Sequence, residues 1–215
     1  MSKLVVKCFS ISLDGFGAGP SQSLEQPMGI GGMDLHRWVF DTKSFRAMHG
    51  DGTGGEEGID NDFAEKGFEN IGAWILGRHM FGPIRGPWTN DEWKGWWGPN
   101  PPYHTPVFVL THHPRESIVM EGGTVFHFIT DGIESAWDKA RKAANGKDVR
   151  LGGGTATIKQ YLKKGMIDEL HIAQSPVLLG SGENLFTDMN FSELGYIVES
   201  YVSSPNATHI IVKKK

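Results

Sequence analysis

Three consecutive glycines, Gly152, Gly153 and Gly154, constrain this chain more than any other feature, because a β-prone run precedes them and a helical pattern follows. The run 149–151 reads as a short strand and Thr155 opens the helical pattern, so D-V-R-L-G-G-G-T-A is strand, glycine turn and helix N-terminus in succession. Glycine lets the backbone approach a ligand closely, and the first N–H groups of a helix have no partner within it. Such a unit can therefore hold a phosphate. The same residues also suffice simply to reverse the chain. The dinucleotide fingerprint G-x-G-x-x-G is not met, since Thr157 stands where its last glycine would be.

The remaining periodicities predict alternating strands and helices. Strands are expected over 4–13, 73–76, 107–110, 124–130 and 168–173, the last continuing over 176–179. Helices are expected over 60–69, with Asp60 or Asn61 as N-cap, over 133–144, stopped by Asn145-Gly146, and over 155–164, closed by Gly165. The runs 196–203 and 208–212 close the chain as a hairpin. This pattern implies an α/β fold in one domain, with a mixed, mostly parallel central sheet flanked by helices and a C-terminal antiparallel hairpin. The glycine-rich segment 16–58 carries an aromatic island at 35–45, which argues for a loop folded over a site. A second irregular stretch, 87–103, holds Trp88, Trp93, Trp96 and Trp97, which can stack a ligand or cover the flank of the core, packing being the expected use.

Charge and cysteine content narrow the function. A net charge of −4 gives no overall basic signature for nucleic acid, and no apolar run reaches membrane-spanning length. The single cysteine, Cys8, leaves no disulfide framework and no Cys-pair zinc motif. His112 and His113 are adjacent on an extended chain and point to opposite faces, so no shared metal is expected there. Lys3 and Lys7 bracket too short an apolar run for a secretory segment, and a cytoplasmic protein is expected.

In an open α/β sheet, ligands bind beyond the carboxyl ends of the strands. The residues there are Ser12, Leu13, Asp14 and Gly15 after the first strand, Gly77, Arg78 and His79 after the second, Thr111 and His112 after the third, and the glycine triplet. Two potential phosphate cradles and a cationic strand end suit a ligand with several phosphates, such as NADPH. Each cradle taken alone has a plainer reading, Arg78 as a surface arginine on a turn.

Several stretches also resemble one family. S-L-D-G at 12–15, N-D-F at 61–63, W-I-L-G-R at 74–78, V-L-T-H at 109–112, L-G-G-G at 151–154, I-D-E-L at 167–170 and P-V-L-L-G-S-G-E-N-L-F at 176–186 occur in the order found in the dihydrofolate reductase-like superfamily. The chain is most similar to the reductase domain of bifunctional riboflavin-biosynthesis enzymes and its stand-alone relatives. The resemblance is weakest across 16–58 and 83–105. It implies NADPH as cofactor, a small-molecule substrate and a homodimer. It places Gly77 and Arg78 at the cofactor phosphates, with Met80 where a threonine is usual, and Thr111 and His112 at the adenosine 2′-phosphate. Gly152, Gly153, Gly154, Thr155 and Ala156 match the diphosphate loop, and Ser12, Leu13, Asp14 and Gly15 match the edge of the nicotinamide pocket. With one cysteine the chain cannot hold the zinc deaminase of the bifunctional enzymes.

Reduction of a C=N or carbonyl carbon is the expected chemistry, on a pyrimidine, a pterin-like ring or another small substrate. Asp62 and Asp14 are the candidate acids, each equally readable as a helix N-terminal acid and a turn former. A non-catalytic nucleotide binder that keeps the fold is the alternative. A nucleotide-using transferase or hydrolase is disfavoured, since neither G-x-x-x-x-G-K-[ST] nor G-x-S-x-G occurs.

Overall fold

Strand β6 (Asp148–Gly153) lies at the middle of a nine-stranded sheet, and the other elements are arranged outward from it. The computed structural model describes residues 2–49, 52–83, 85–89 and 91–215. The remaining strands are β1 (Leu4–Ile11), β2 (Ile71–Gly77), β3 (Pro106–Leu110), β4 (Ile118–Val119), β5 (Val125–Ile129), β7 (Glu169–Gln174), β8 (Tyr196–Ser203) and β9 (Thr208–Lys214). Their order is β4-β5-β3-β2-β6-β1-β7-β9-β8. The run from β5 to β7 is parallel, and β4, β9 and β8 pair antiparallel at the two margins. The helices are α1 (Arg37–Phe40), α2 (Lys43–His49), α3 (Ile59–Lys66), α4 (Arg78–Phe81), α5 (Ile133–Ala143) and α6 (Thr155–Lys163).

The central strands are apolar on both faces because both are covered. Ala73, Ile75, Val149 and Leu151 face a core closed by α5 and α6, while Trp74, Leu76, Val107 and Phe126 face a second core. α5 buries Ile133, Ala136 and Ala140, spaced three and four residues apart on one stripe. Tyr161 of α6 donates its hydroxyl hydrogen to the Ile133 carbonyl at 2.7 Å, which ties the two helices together.

Three expectations are corrected and one strand is added. The central strand runs into the glycines, ending at Gly153 instead of before them. Helix α3 is entered through Gly58 at φ 116°, a value that favours glycine, so neither Asp60 nor Asn61 is its N-cap. Asn61 is instead buried, its amide oxygen accepting from the backbone N–H and hydroxyl of Ser44 and so joining α2 to α3. Residues 176–179 continue no strand, and β4 is a short strand that the sequence pattern did not announce.

Candidate active site

The crevice that forms the site follows from the strand order. β6 lies between β2 and β1, all parallel. The chain leaves β2 toward β3 on one side and leaves β6 through α6 toward β7 on the other, so their carboxyl ends part at a topological switch point. Ile75 pairs with Leu151 but Leu76 with Gly153, so Gly152 is an extra residue that bends β6 at its end. A Cβ on Gly77 would lie 2.3 Å from Thr157 Oγ1, and one on Gly17 would lie 2.6 Å from Thr155 Oγ1. Three backbones therefore crowd the head of α6. A Cβ on Gly154, by contrast, would meet nothing within 4 Å. Gly154 is the N-cap of α6, and the N–H groups of Thr155 and Ala156 precede the first intrahelical bond, from Thr157 N–H to Gly154 O at 3.0 Å. The head of α6 carries no side-chain cap.

These residues open onto a cavity of about 860 Å³. Gly77, Arg78, His79, His112, Gly152, Gly154, Thr155 and Ala156 all line it. Gly153 shapes the bend between two of them at φ 115°. Thr111 stands behind, accepting from Arg78 Nη1–H at 2.7 Å. The Arg78 guanidinium lies 3.1 Å from the centre of the Trp88 ring, and its Nε is buried without a hydrogen-bond partner. Burial, with nearby Arg115 adding to it, pushes its pKa down to about 10.

The residues after β1 brace this wall without lining it. Ser12 is buried and donates its hydroxyl to Asp14 at 2.5 Å, while Asp14 accepts the N–H groups of Leu179 and Gly180 at 3.2 and 2.7 Å. The Ser12 hydrogen bond, then the Gly180 and Leu179 N–H groups, hold the Asp14 carboxyl below the usual carboxylate range. Asp14 thus clamps the 179–180 loop. Gly15 continues the turn at φ 85°, and Leu13 is exposed. Asp62 is exposed on α3 and absent from the cavity wall. Neither candidate acid reaches the cavity.

The segment 16–58 folds over the cavity, contributing Met28, Met33, His36, Trp38, Phe45 and His49 among others; of that segment, Gly50 and Asp51 lie outside the described residues. His49 stacks on Trp97 with ring centroids 4.8 Å apart and planes at 15°, so the two irregular segments meet as a roof. The tryptophans of the second irregular stretch divide between core and cavity. Trp88 and Trp93 pack on the second core, whereas Trp96 and Trp97 face the cavity.

Arg150 was not singled out by the sequence, although it lines the same cavity. Its guanidinium is held by the carbonyls of Gly67 and Lys7 at 2.6 and 3.0 Å and lies over the rings of Trp74 and Phe68. An arginine inside an otherwise apolar strand was the available signal.

The profile of the RibD C-terminal domain matches residues 3–209. The chain belongs to the RibD C-terminal domain family. Among curated proteins, the uncharacterized protein YyaP of Bacillus subtilis is 39% identical over 62 residues, a stretch covering 29% of this chain and 32% of that protein. The chain thus matches about a third of the length of this relative. Among solved structures, a putative riboflavin biosynthesis protein from Shewanella sp. PV-4 aligns with a TM-score of 0.58 at 20% identity, covering 100% of this chain and 99% of that one. Dihydrofolate reductase from Enterococcus faecalis, complexed with NADP(H) and RAB-propyl, aligns with a TM-score of 0.54 at 14% identity, covering 99% and 96%. A pyrimidine reductase-like protein from Corynebacterium diphtheriae aligns at 0.53 and 13%, covering 99% and 91%. At these identities the likeness is one of fold, and it places the RibD C-terminal fold of this chain among mixed α/β sheets of the dihydrofolate reductase type. Among the described residues no group of three or more His, Cys, Asp and Glu side chains is arranged to hold a metal. No helix in them is long and apolar enough to cross a membrane.

Proposed function

We propose that this chain is an NADPH-dependent reductase of a small heterocyclic or carbonyl substrate. The observation that carries the reading is the open cradle at Gly154, over the uncapped head of α6, with the Arg78 guanidinium lining the same cavity. The residues present fit a phosphorylated dinucleotide. Backbone N–H groups at a helix start favour a diphosphate, and a guanidinium with an unpartnered Nε favours a further phosphate. Gly77, Gly152, Gly153, Gly154, Thr155 and Ala156 would hold the diphosphate, and Arg78, Thr111 and His112 the 2′-phosphate. The bound cofactor would supply hydride.

The chain's own contribution is orientation and exclusion of water. Thr111 and Trp88 fix the Arg78 fork, so little side-chain freedom is lost when an anion binds. Met28, Met33, Met48 and Met80 line the cavity beside aromatic rings, a wall that adapts to more than one ring shape. Titration with NADPH and NADH, followed by quenching of the seven tryptophans, tests the assignment. NADPH-selective binding that Arg78→Ala weakens at least tenfold is expected, and equal affinities unaffected by the substitution would remove it.

A second reading is a non-catalytic NADPH-binding protein. It is favoured by the absence of both Asp14 and Asp62 from the cavity wall. Oxidation of NADPH in the presence of pterins, pyrimidines or carbonyls would decide for the reductase.

A further inference from the structure

Arg150 is 8% exposed, yet among the described residues no carboxylate pairs with it; burial holds its pKa below the usual value, and only Cys8 and Tyr103 act in the opposite direction. Arg115 makes the contrast, since its side chain, 4% exposed, has Asp91 at 3.4 Å. A guanidinium carries five N–H donors. In Arg150 the Nη1 and Nη2 groups each meet one backbone carbonyl, and Nε is buried without a partner. A buried cation without a counter-ion is costly, and the costs of arginine burial fall when an anion arrives.

The surroundings specify the anion's shape. Trp74 pairs with Arg150 in register across β2 and β6, and its ring lies 4.4 Å from the guanidinium carbon. Phe68 lies at 5.0 Å, and the Tyr103 ring stands edge-on to Trp74 with centroids 5.0 Å apart. The Tyr103 oxygen accepts from Trp97 Nε1–H at 3.1 Å, while its own hydrogen has no acceptor among the described residues. Arg150, Trp74, Phe68 and Tyr103 all line the cavity that holds the Gly154 cradle. This chamber, the part of the cavity lined by Arg150, Trp74, Phe68 and Tyr103, therefore has aromatic walls, a buried guanidinium with an unpartnered Nε and a hydroxyl hydrogen without an acceptor among the described residues.

We propose that the chamber receives the substrate, and that the substrate is a planar ring bearing an anionic oxygen at the edge that meets Arg150. That the occupant is a substrate rests on the reductase reading; the anion preference does not. The probe pair is 2-naphthoate and 2-naphthamide, which share a ring and differ in charge, titrated by tryptophan quenching. The chain's net charge of −4 gives no general attraction for anions, so a preference for the carboxylate reports a local site. Naphthoate is expected to bind at least tenfold more tightly than naphthamide, and Arg150→Met to bring the two within twofold. No carboxylate preference in the unsubstituted protein overturns the proposal, as does a preference that survives Arg150→Met. If Arg150→Met does not fold, Arg150→Lys is the second variant; it retains a cation without the planar fork, and an intermediate preference supports the site whereas an unchanged one overturns it. NADPH is titrated in parallel on each protein. Failure of NADPH to bind with the naphthoate preference intact sinks the reductase reading while leaving the anion site in place.

Discussion

His209 Nε2 donates a hydrogen bond to Asp60 Oδ1 at 2.7 Å, and this contact starts a chain of fixed proton positions that ends under the cavity. Cys8 N–H donates to His171 Nδ1 at 3.0 Å, so that nitrogen is bare and Nε2 carries the hydrogen. His171 Nε2 then donates to His209 Nδ1 at 3.0 Å, which leaves the His209 hydrogen on Nε2 for Asp60. Both rings are buried and stack on Phe63 at 4.4 and 4.2 Å. The chain anchors the irregularity in β1 between Val6 and Phe9, where Cys8 has φ 55°. There the regular alternation of faces is lost, and Cys8, Phe9 and Ser10 all line the cavity.

Stability should therefore fall as pH is lowered through the histidine range. Burial, then the neighbouring His209, pushes the pKa of His171 down to about 2. Burial also lowers His209, outweighing the hydrogen bond to Asp60 that raises it. Below about pH 6.5 the unfolded chain binds protons that the native rings refuse, so the unfolded state gains. For His171 alone the loss between pH 7.5 and 5.5 is about 1.4 kcal/mol. Urea denaturation at the two pH values measures it. His171→Leu should be less stable at pH 7.5 by about 2 kcal/mol, because Cys8 N–H loses its acceptor. The same variant should show a shallower pH slope; an unchanged slope would refute the neutral ring.

Two glycines one strand apart should respond oppositely to alanine. Gly77→Ala drives a Cβ to 2.3 Å from Thr157 Oγ1 and 3.2 Å from Gly154 N, so it should destabilise the fold by about 1–3 kcal/mol. Gly154→Ala meets open space at φ −74°, a value any residue adopts, and should leave thermal stability within about 0.5 kcal/mol. Its methyl group nevertheless occupies the cradle, so NADPH affinity should fall about tenfold or more. Melting curves and NADPH titration of both variants separate the two effects, and a Gly154→Ala protein with undiminished NADPH affinity would remove Gly154 from the cofactor site.

The contrast between these glycines marks what sequence patterns carry. The parallel strands, α5 and α6 were legible because β2 is buried along its whole length and α5 keeps its apolar stripe. The cradle was legible because a strand, three glycines and a helix are adjacent in the chain. Asp14 and Asp62 do not line the cavity, and for Asp14 loop connectivity decides what a turn acid meets: its carboxylate accepts backbone N–H groups 165 and 166 positions away. Arg150 was missed for the same reason. Its partners are Gly67 and Lys7, far along the chain, and its position in the cavity depends on the pairing of β6 with β2. Likewise, no pattern announces that His49 stacks on Trp97.

That stacked pair should govern access. Trp97 is 44% exposed, so Trp97→Ala removes little buried area and should change stability by less than about 1 kcal/mol. It should, however, open the roof between the 16–58 segment and the tryptophan-rich segment and free the Tyr103 hydroxyl from its donor. Stopped-flow quenching should then show faster release of a bound ring such as 2-naphthoate, by about tenfold, with entry less affected. Release at the original rate would mean that the roof does not close on ligands.

The last prediction concerns β8, which ends the sheet. Ile197, Val198, Tyr201 and Val202 are 45%, 54%, 77% and 39% exposed along it. Natural edge strands are usually protected by lysine, proline or a covering segment. β8 contains no lysine or proline, and its one acid, Glu199, is engaged by Lys213 at 2.7 Å. Apart from the register shift between Val198 and Ser200, the exposed apolar side chains of this edge suit pairing with a second copy of the same strand across a two-fold axis. We therefore expect a homodimer through β8. Sedimentation at micromolar concentration should give twice the chain mass of 23.7 kDa, and Val198→Glu with Tyr201→Glu should shift it to the monomer while leaving NADPH binding intact. A monomer in the unsubstituted protein, or a dimer that survives the double substitution, would place any self-association elsewhere.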